Sequence, residues 1–280
     1  GGNIQIGSFN LYNYFTTLNS RGAKTEAEFI QQQEKLVAAI LKIDADILGL
    51  TEIENNMVAL QTLLDSINNK VGFQKYNLID TGSIGVDKIK VGIIYQPATV
   101  EPVGNFQILD SEFDPLYLDT KNRPALAQSF RPKNSANKFT VVVNHLKSRS
   151  SSCEDVDDPD EKEGAGNCNK TRAAAASVLM NWLKSDPTGS NSQNFLIIGD
   201  LNAYAREDPV INILRGSDNI LHTYDDFTDL IDLFSPQDYS YAYNGQIGYL
   251  DYALSSNFLS QRVTEAGFWH INTDELSLFD

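Results

Sequence analysis

The chain has 280 residues, 41% of them apolar, with 12 Tyr and 14 Phe, which is enough for the core of one large domain or two small ones. A net charge of -15 and a pI of about 4.5 exclude a broad basic surface for sequence-independent nucleic-acid binding. They do not exclude a nuclease, because divalent cations can supply positive charge at a scissile phosphate.

No apolar run approaches the roughly 20 residues that span a bilayer. No signal peptide is visible, and the start at Gly1-Gly2-Asn3 reads as processed or trimmed. A soluble monomer is expected. Neither a repeat nor a long Gly/Ser/Pro linker interrupts the sequence, so residues 1–280 read as one domain.

In chain order, residues 3–10 alternate as a first strand ending in Ser8-Phe9-Asn10. Thr25 and Glu28 fit a capping box, ahead of a helix with Phe29, Leu36, Val37, Ile40 and Leu41 at helical spacing. The apolar run 46–51 is a strand that delivers Glu52, and 55–67 reads as a helix. Residues 89–95 form a further strand, with Asp87 just ahead of it and Pro97 beyond it. Strands are expected over 126–130 and 139–144, the second delivering His145, and an Ala-rich helix over 171–184.

Leu196-Ile197-Ile198-Gly199-Asp200-Leu201-Asn202 reads as a buried strand that turns at Gly199 and presents Asp200 and Asn202 at its C-terminal end. A short helix over 209–214 follows. Residues 239–243 and 247–254 flank Asn244-Gly245, a hairpin signal, and the return strand carries Leu250-Asp251-Tyr252. Helices interleaved with strands give an α/β fold, layered with helices outside the sheets.

Cys153 and Cys168 are the only cysteines and bracket a charged, polar segment. A disulfide and an oxidising compartment are favoured over two free thiols. The acidic loop between them makes Ca²⁺ a further candidate ligand, without the spacing of a helix-loop-helix calcium site.

Five strand ends therefore carry Asn10, Glu52, His145, Asp200 with Asn202, and Asp251. Each alone has a structural explanation: a turn, a helix cap, a satisfied histidine. Together they suit metal-assisted phosphoester hydrolysis, which needs carboxylates for metal and water and an amide for an oxyanion.

Ser8-Phe9-Asn10, Thr51-Glu52, Asn144-His145-Leu146-Lys147-Ser148, Gly199-Asp200-Leu201-Asn202 and Leu250-Asp251-Tyr252 resemble the ordered motifs of the endonuclease/exonuclease/phosphatase superfamily. The cysteine loop leading into Asn169-Lys170-Thr171-Arg172, with Gly199-Asp200-Leu201-Asn202-Ala203-Tyr204, most resembles bacterial secreted deoxyribonucleases. The resemblance implies a four-layer α/β sandwich of two mixed sheets flanked by helices. It implies Glu52 and Asn10 as ligands of Mg²⁺ or Mn²⁺, and Asp200 as the carboxylate that orients water. Asn202 is implied as the transition-state amide, His145 as a phosphate contact or proton donor, and Arg123 as a phosphate-binding arginine. Asp87 is a candidate for orienting His145, and Arg172 lies within the resembled motif.

The resembled family closes on a Ser-Asp-His strand whose histidine pairs with the aspartate matched by Asp251. This sequence ends at Leu278-Phe279-Asp280 without it, so the expectation is a missing last strand, an unpartnered Asp251 and weak cleavage. His270 is a minor candidate for that partner. The leading reading is a secreted or periplasmic metal-dependent nuclease acting on DNA, with RNA as a second candidate substrate. The alternatives are a phosphoesterase acting on phospholipid or inositol phosphate, and a catalytically silent surface binding module.

Overall fold

The computed structural model describes residues 4–159, 164–243 and 246–270. Along the chain, β1 (Ile6–Tyr14) leads through α1 (Glu26–Ile43) to β2 (Ile47–Glu54), then α2 (Ala59–Val71), β3 (Asn77–Leu78) and β4 (Ile89–Tyr95). β5 (Val100–Leu109), β6 (Arg123–Pro132) and β7 (Phe139–His145) follow, then α3 (Asn169–Lys184), β8 (Phe195–Asp200) and α4 (Asp208–Leu214). Last come β9 (Phe227–Asp229), α5 (Leu230–Phe234), β10 (Tyr241–Tyr243), β11 (Gln246–Gly248), β12 (Asp251–Ser256) and α6 (Asn257–Ser260).

Two mixed sheets result, ordered β1-β2-β4-β3 and β5-β6-β7-β8-β12-β9. Strands buried on both faces read as unbroken apolar runs, and the period of two decides which neighbour each side chain meets. In β7, Val142 points to the cluster under α3 and α4, while Val141 and Val143 point between the sheets. In β8, Ile197 and its neighbours Leu196 and Ile198 divide the same way. In β2, Leu48 and Leu50 face α1 and α2, and Ile47 faces the other sheet. Three apolar clusters therefore separate four layers: helix, sheet, sheet, helix. Gly49 marks how closely the sheets approach, because a Cβ there would lie 2.6 Å from Ile198 and 2.8 Å from Val143.

The capping box at Thr25 and Glu28 is present. The helix expected from residue 55 begins instead at Ala59. Asn55 is committed to the loop carrying Asp87, donating to the Ile84 and Asp87 carbonyls, and the Asn56 side chain accepts from the amides of Val58 and Ala59. The expected long return strand is also corrected. β10 pairs only with β11, and Asp251 opens the separate strand β12 against β8. The Asn244-Gly245 turn and the end at Leu278-Phe279-Asp280 lie outside the described residues. No helix among the described residues is long and apolar enough to cross a membrane.

Cys153 and Cys168 form a disulfide, both fully buried, with Cα atoms 5.3 Å apart. It anchors the acidic loop against the start of α3, where Asp158 accepts from the Thr171 amide. No group of three or more His, Cys, Asp or Glu side chains suited to a metal occurs among the described residues; residues 160–163 of the acidic loop, on which the calcium expectation partly falls, lie outside them.

Candidate active site

The six-stranded sheet sets its polar residues on one rung. Arg123 of β6 lies opposite His145 of β7, His145 opposite Asp200 of β8, and Asp200 opposite Asp251 of β12. Residues in register on neighbouring strands share a face at about 5 Å spacing, so four separate sequence segments deliver four functional groups to one line. Gly199, at φ 114°, makes the turn into Asp200 possible; a Cβ there would meet the Asn144 carbonyl oxygen at 2.1 Å.

The four-stranded sheet supplies the other half. Asn10 lies opposite Thr51, and both strands bulge directly beyond that pair. The bulge turns Glu52 into the left-handed region, at φ 60°, and swings its carboxylate toward Asn10. Asn10 Nδ2 donates to Glu52 Oε1 at 3.3 Å, and the Asn13 amide donates to Oε2 at 3.0 Å. Tyr12, Asn13 and Asn202 also have positive φ. Strained backbone of this kind concentrates at functional sites, where the surrounding structure enforces it.

Burial and mutual repulsion define the electrostatics. Burial, and then the charge of Asp251, push the Asp200 carboxyl well above the ordinary carboxylate range, and burial pushes Asp251 up as well. His145 is buried, and burial together with Arg123, Arg21 and Lys147 holds its imidazole neutral. Its Nε2 lies 3.8 Å from Asp200 Oδ2, too far to bond and near enough for both to touch one substrate oxygen. The Asn202 amide N–H donates to Asp200 Oδ1 at 2.7 Å, and Asn202 Nδ2 donates to the Leu146 carbonyl at 3.1 Å. One hydrogen of that Nδ2 is thus committed, which fixes the direction of the other. Arg123 is clamped from both sides, with Nη1 donating to the Leu146 carbonyl and Nε 3.1 Å from Asp87 Oδ2.

Two candidate roles change, those of Asp87 and His270. Asp87 does not orient His145: it pairs with Arg123 and Arg21, and His145 Nδ1 is buried without a hydrogen-bond partner among the described residues. Arg172 of the resembled motif is turned into the protein. It is fully buried and donates to the carbonyls of Lys147, Asn167 and Ala165, which ties the loop after β7 to the disulfide loop; burial lowers its pKa to about 10. His270 does not reach Asp251 and pairs with Asp238 at 2.7 Å. Asp251 instead accepts from the Ser240 hydroxyl at 3.2 Å, and no histidine contacts it among the described residues.

The side chain best placed for a hard divalent cation is Glu52; Asn10 turns its Nδ2 to Glu52 and its Oδ1 to the Tyr12 amide, so it would have to turn its amide over to add an oxygen. The Glu52 carboxylate is an oxygen donor suited to Mg²⁺ or Mn²⁺, and the carboxylates of Asp200 and Asp251, opposite each other on neighbouring strands, have no cation paired with them among the described residues.

A family model described as the Endonuclease/Exonuclease/phosphatase family matches residues 7–273. Among solved structures, the human Nocturnin catalytic domain with bound sulfate anion is similar at 18% identity and TM-score 0.56, over 91% of this chain and 83% of that one. D. rerio TDP2 complexed with single strand DNA product is similar at 15% identity and TM-score 0.55, over 90% and 83%. Bacteroides thetaiotaomicron mannosyl-6-phosphatase is similar at 15% identity and TM-score 0.55, over 91% and 85%. No match was found among curated proteins.

Proposed function

Because the chain belongs to the endonuclease/exonuclease/phosphatase family and is a phosphoesterase of that fold, we propose that it is a secreted, single-domain, metal-dependent nuclease that hydrolyses phosphodiester bonds in DNA, with RNA as a second substrate. The observation that carries this reading is the single rung Arg123–His145–Asp200–Asp251, facing Asn10 and Glu52. The disulfide supports an oxidising, extracellular location.

Glu52 and Asn10 would hold Mg²⁺ or Mn²⁺, which supplies Lewis-acid polarisation of a phosphoryl oxygen. Asp200 orients the attacking water, and its raised proton affinity suits it to accept the water's proton. Asn202 directs its free amide hydrogen at the oxygen that gains charge. Neutral His145 donates a hydrogen bond to the phosphoryl group, and Arg123 supplies a fixed positive charge beside it.

Digestion of circular and linear DNA with and without EDTA tests the reading. Cleavage that stops with EDTA is expected. An intact polymer beside hydrolysed inositol phosphate or phospholipid would transfer the site to the alternative phosphoesterase class. Absence of any divalent effect on thermal stability would favour a silent module.

A further inference from the structure

Tyr12 is the side chain near this site that the chemistry leaves unused. It is 82% exposed, and it makes neither a ring contact nor a side-chain hydrogen bond among the described residues. Its backbone is in the left-handed region at φ 53°, followed by Asn13 at φ 54°. A bulky residue there is strained, and Gly or Asn would suit the turn better. The conformation is nevertheless enforced from both sides. The Tyr12 amide donates to Asn10 Oδ1 at 2.9 Å, and Gln32 Nε2 donates to the carbonyls of Leu11 and Tyr12 at 3.1 and 3.0 Å. These contacts fix the ring's backbone between the two residues that bond Glu52, two residues after Asn10 and one before Asn13. Tyr12, Asn10, Arg21 and Asp251 line one open cleft.

The charge balance shows what such a ring supplies. The chain is strongly acidic, and four of the cations around the site are paired with carboxylates, leaving Lys147 as the charge at His145 without such a pair among the described residues. Arg21 and Arg123 pair with Asp87, Lys121 pairs with Asp155, and Arg149 pairs with Glu207. Little positive charge remains to hold a polyanion by its phosphates. Aromatic stacking on a base needs no charge and accepts any base, provided that base is free of its own duplex stack.

We propose that Tyr12 is a stacking platform for an unpaired nucleobase beside the scissile phosphate, which makes single-stranded nucleic acid the preferred substrate; this rests on the nuclease reading of the site. Tyr12 is a binding and specificity residue here, not one that touches the reacting atoms.

The test is fluorescence anisotropy of a dye-labelled short deoxyoligonucleotide with the full chain in EDTA, so that no bond is cut. Three probes are compared: the single strand, the same backbone with abasic sites, and the duplex. The wild-type chain should bind the single strand about 10-fold or more tighter than the abasic strand or the duplex. Tyr12→Ala should erase that difference, whereas Tyr12→Phe and Tyr12→Trp should keep it. Equal binding of the normal and abasic strands, or wild-type binding by Tyr12→Ala, overturns the proposal; so does loss of binding in Tyr12→Phe, which would assign the effect to the hydroxyl. If Tyr12→Ala fails to fold, the abasic probe and the Phe and Trp variants still decide the matter. A parallel Mg²⁺ assay separates the two readings. Tyr12-dependent binding without cleavage removes the nuclease reading alone, and cleavage with unchanged KM in Tyr12→Ala removes the stacking platform alone.

Discussion

Two carboxylate groups in this molecule behave in opposite ways. At the strand ends, burial and then the charge of Asp251 push Asp200 up, burial and the charge of Glu52 push Asp251 up, and each has one hydrogen-bond donor among the described residues, the Asn202 amide and the Ser240 hydroxyl. In the loop after α4, Asp225 is supplied with donors. Burial is the largest single influence and raises it, but the Ser217 and Thr223 hydroxyls and the amides of Ser217 and Asp218 together outweigh that and hold it at about 2. A carboxylate saturated with donors closes a loop and needs nothing more. A close pair left short of donors, on rigid strands, calls for a cation or a proton. The contrast separates function from structure better than the count of acidic residues does.

The largest expected effect breaks the strand-end group. Asp200→Ala and Asn202→Ala should each lower phosphodiester cleavage by about 100-fold or more at saturating Mg²⁺, the scale for losing a fixed transition-state contact. Asp225→Ala should change the rate by less than about twofold, in line with the small effects of substitutions away from the chemistry. Comparable losses in both regions would remove the distinction. Next, Glu52→Gln should raise the Mg²⁺ concentration for half-maximal thermal stabilisation by at least about 10-fold. An unchanged titration would place the metal elsewhere. A smaller effect, opposite in sign, is expected from Asp251→Asn. With the like charge removed, the metal-free protein should gain about 1 kcal/mol at neutral pH while cleavage falls. A lower melting temperature would show that Asp251 is held by more than the Ser240 hydroxyl.

Much of this arrangement is written locally. The runs in β2, β4, β7 and β8 are apolar on both faces, and the Gly199-Asp200 turn and the Thr25–Glu28 cap carry their own chemistry. The parts that escape local reading depend on distant partners. β5 carries Pro102 and Gly104, which argue against a strand, yet it pairs only with β6 at the sheet edge, where a missing N–H is tolerated. β6 begins at Arg123, before Pro124, three residues ahead of its apolar run. The register that brings Arg123, His145, Asp200 and Asp251 into line is a property of four strands at once, so no single motif states it. Asp87 and Arg172 were legible as charged residues near site motifs. Their partners, Arg123 in one case and three backbone carbonyls in the other, became visible only in the folded chain. Tyr12 gave no signal, because its strain comes from the bulge in β1 and the hold of Gln32.

The smallest effect sharpens the comparison from the loop side. Asp225 has a folded-state pKa of about 2, below its ordinary 3.8. A depressed carboxylate contributes stability that is fully present above the ordinary pKa and is lost as pH falls through the folded value. The window for Asp225 therefore runs from about pH 3.8 down to about pH 2. Ser217→Ala deletes the hydroxyl that lies 2.7 Å from Oδ2 and so moves the folded pKa back toward 3.8. The variant should be slightly less stable than wild type at neutral pH, and the gap should close as the solution is acidified through that window, because both proteins then carry the protonated acid. Melting temperatures of the two proteins measured side by side from neutral pH into the acid range give the answer. A gap that stays constant would mean that the Ser217 hydroxyl acts by packing alone, and a gap that widens in acid would mean that Asp225 is held down by charges elsewhere.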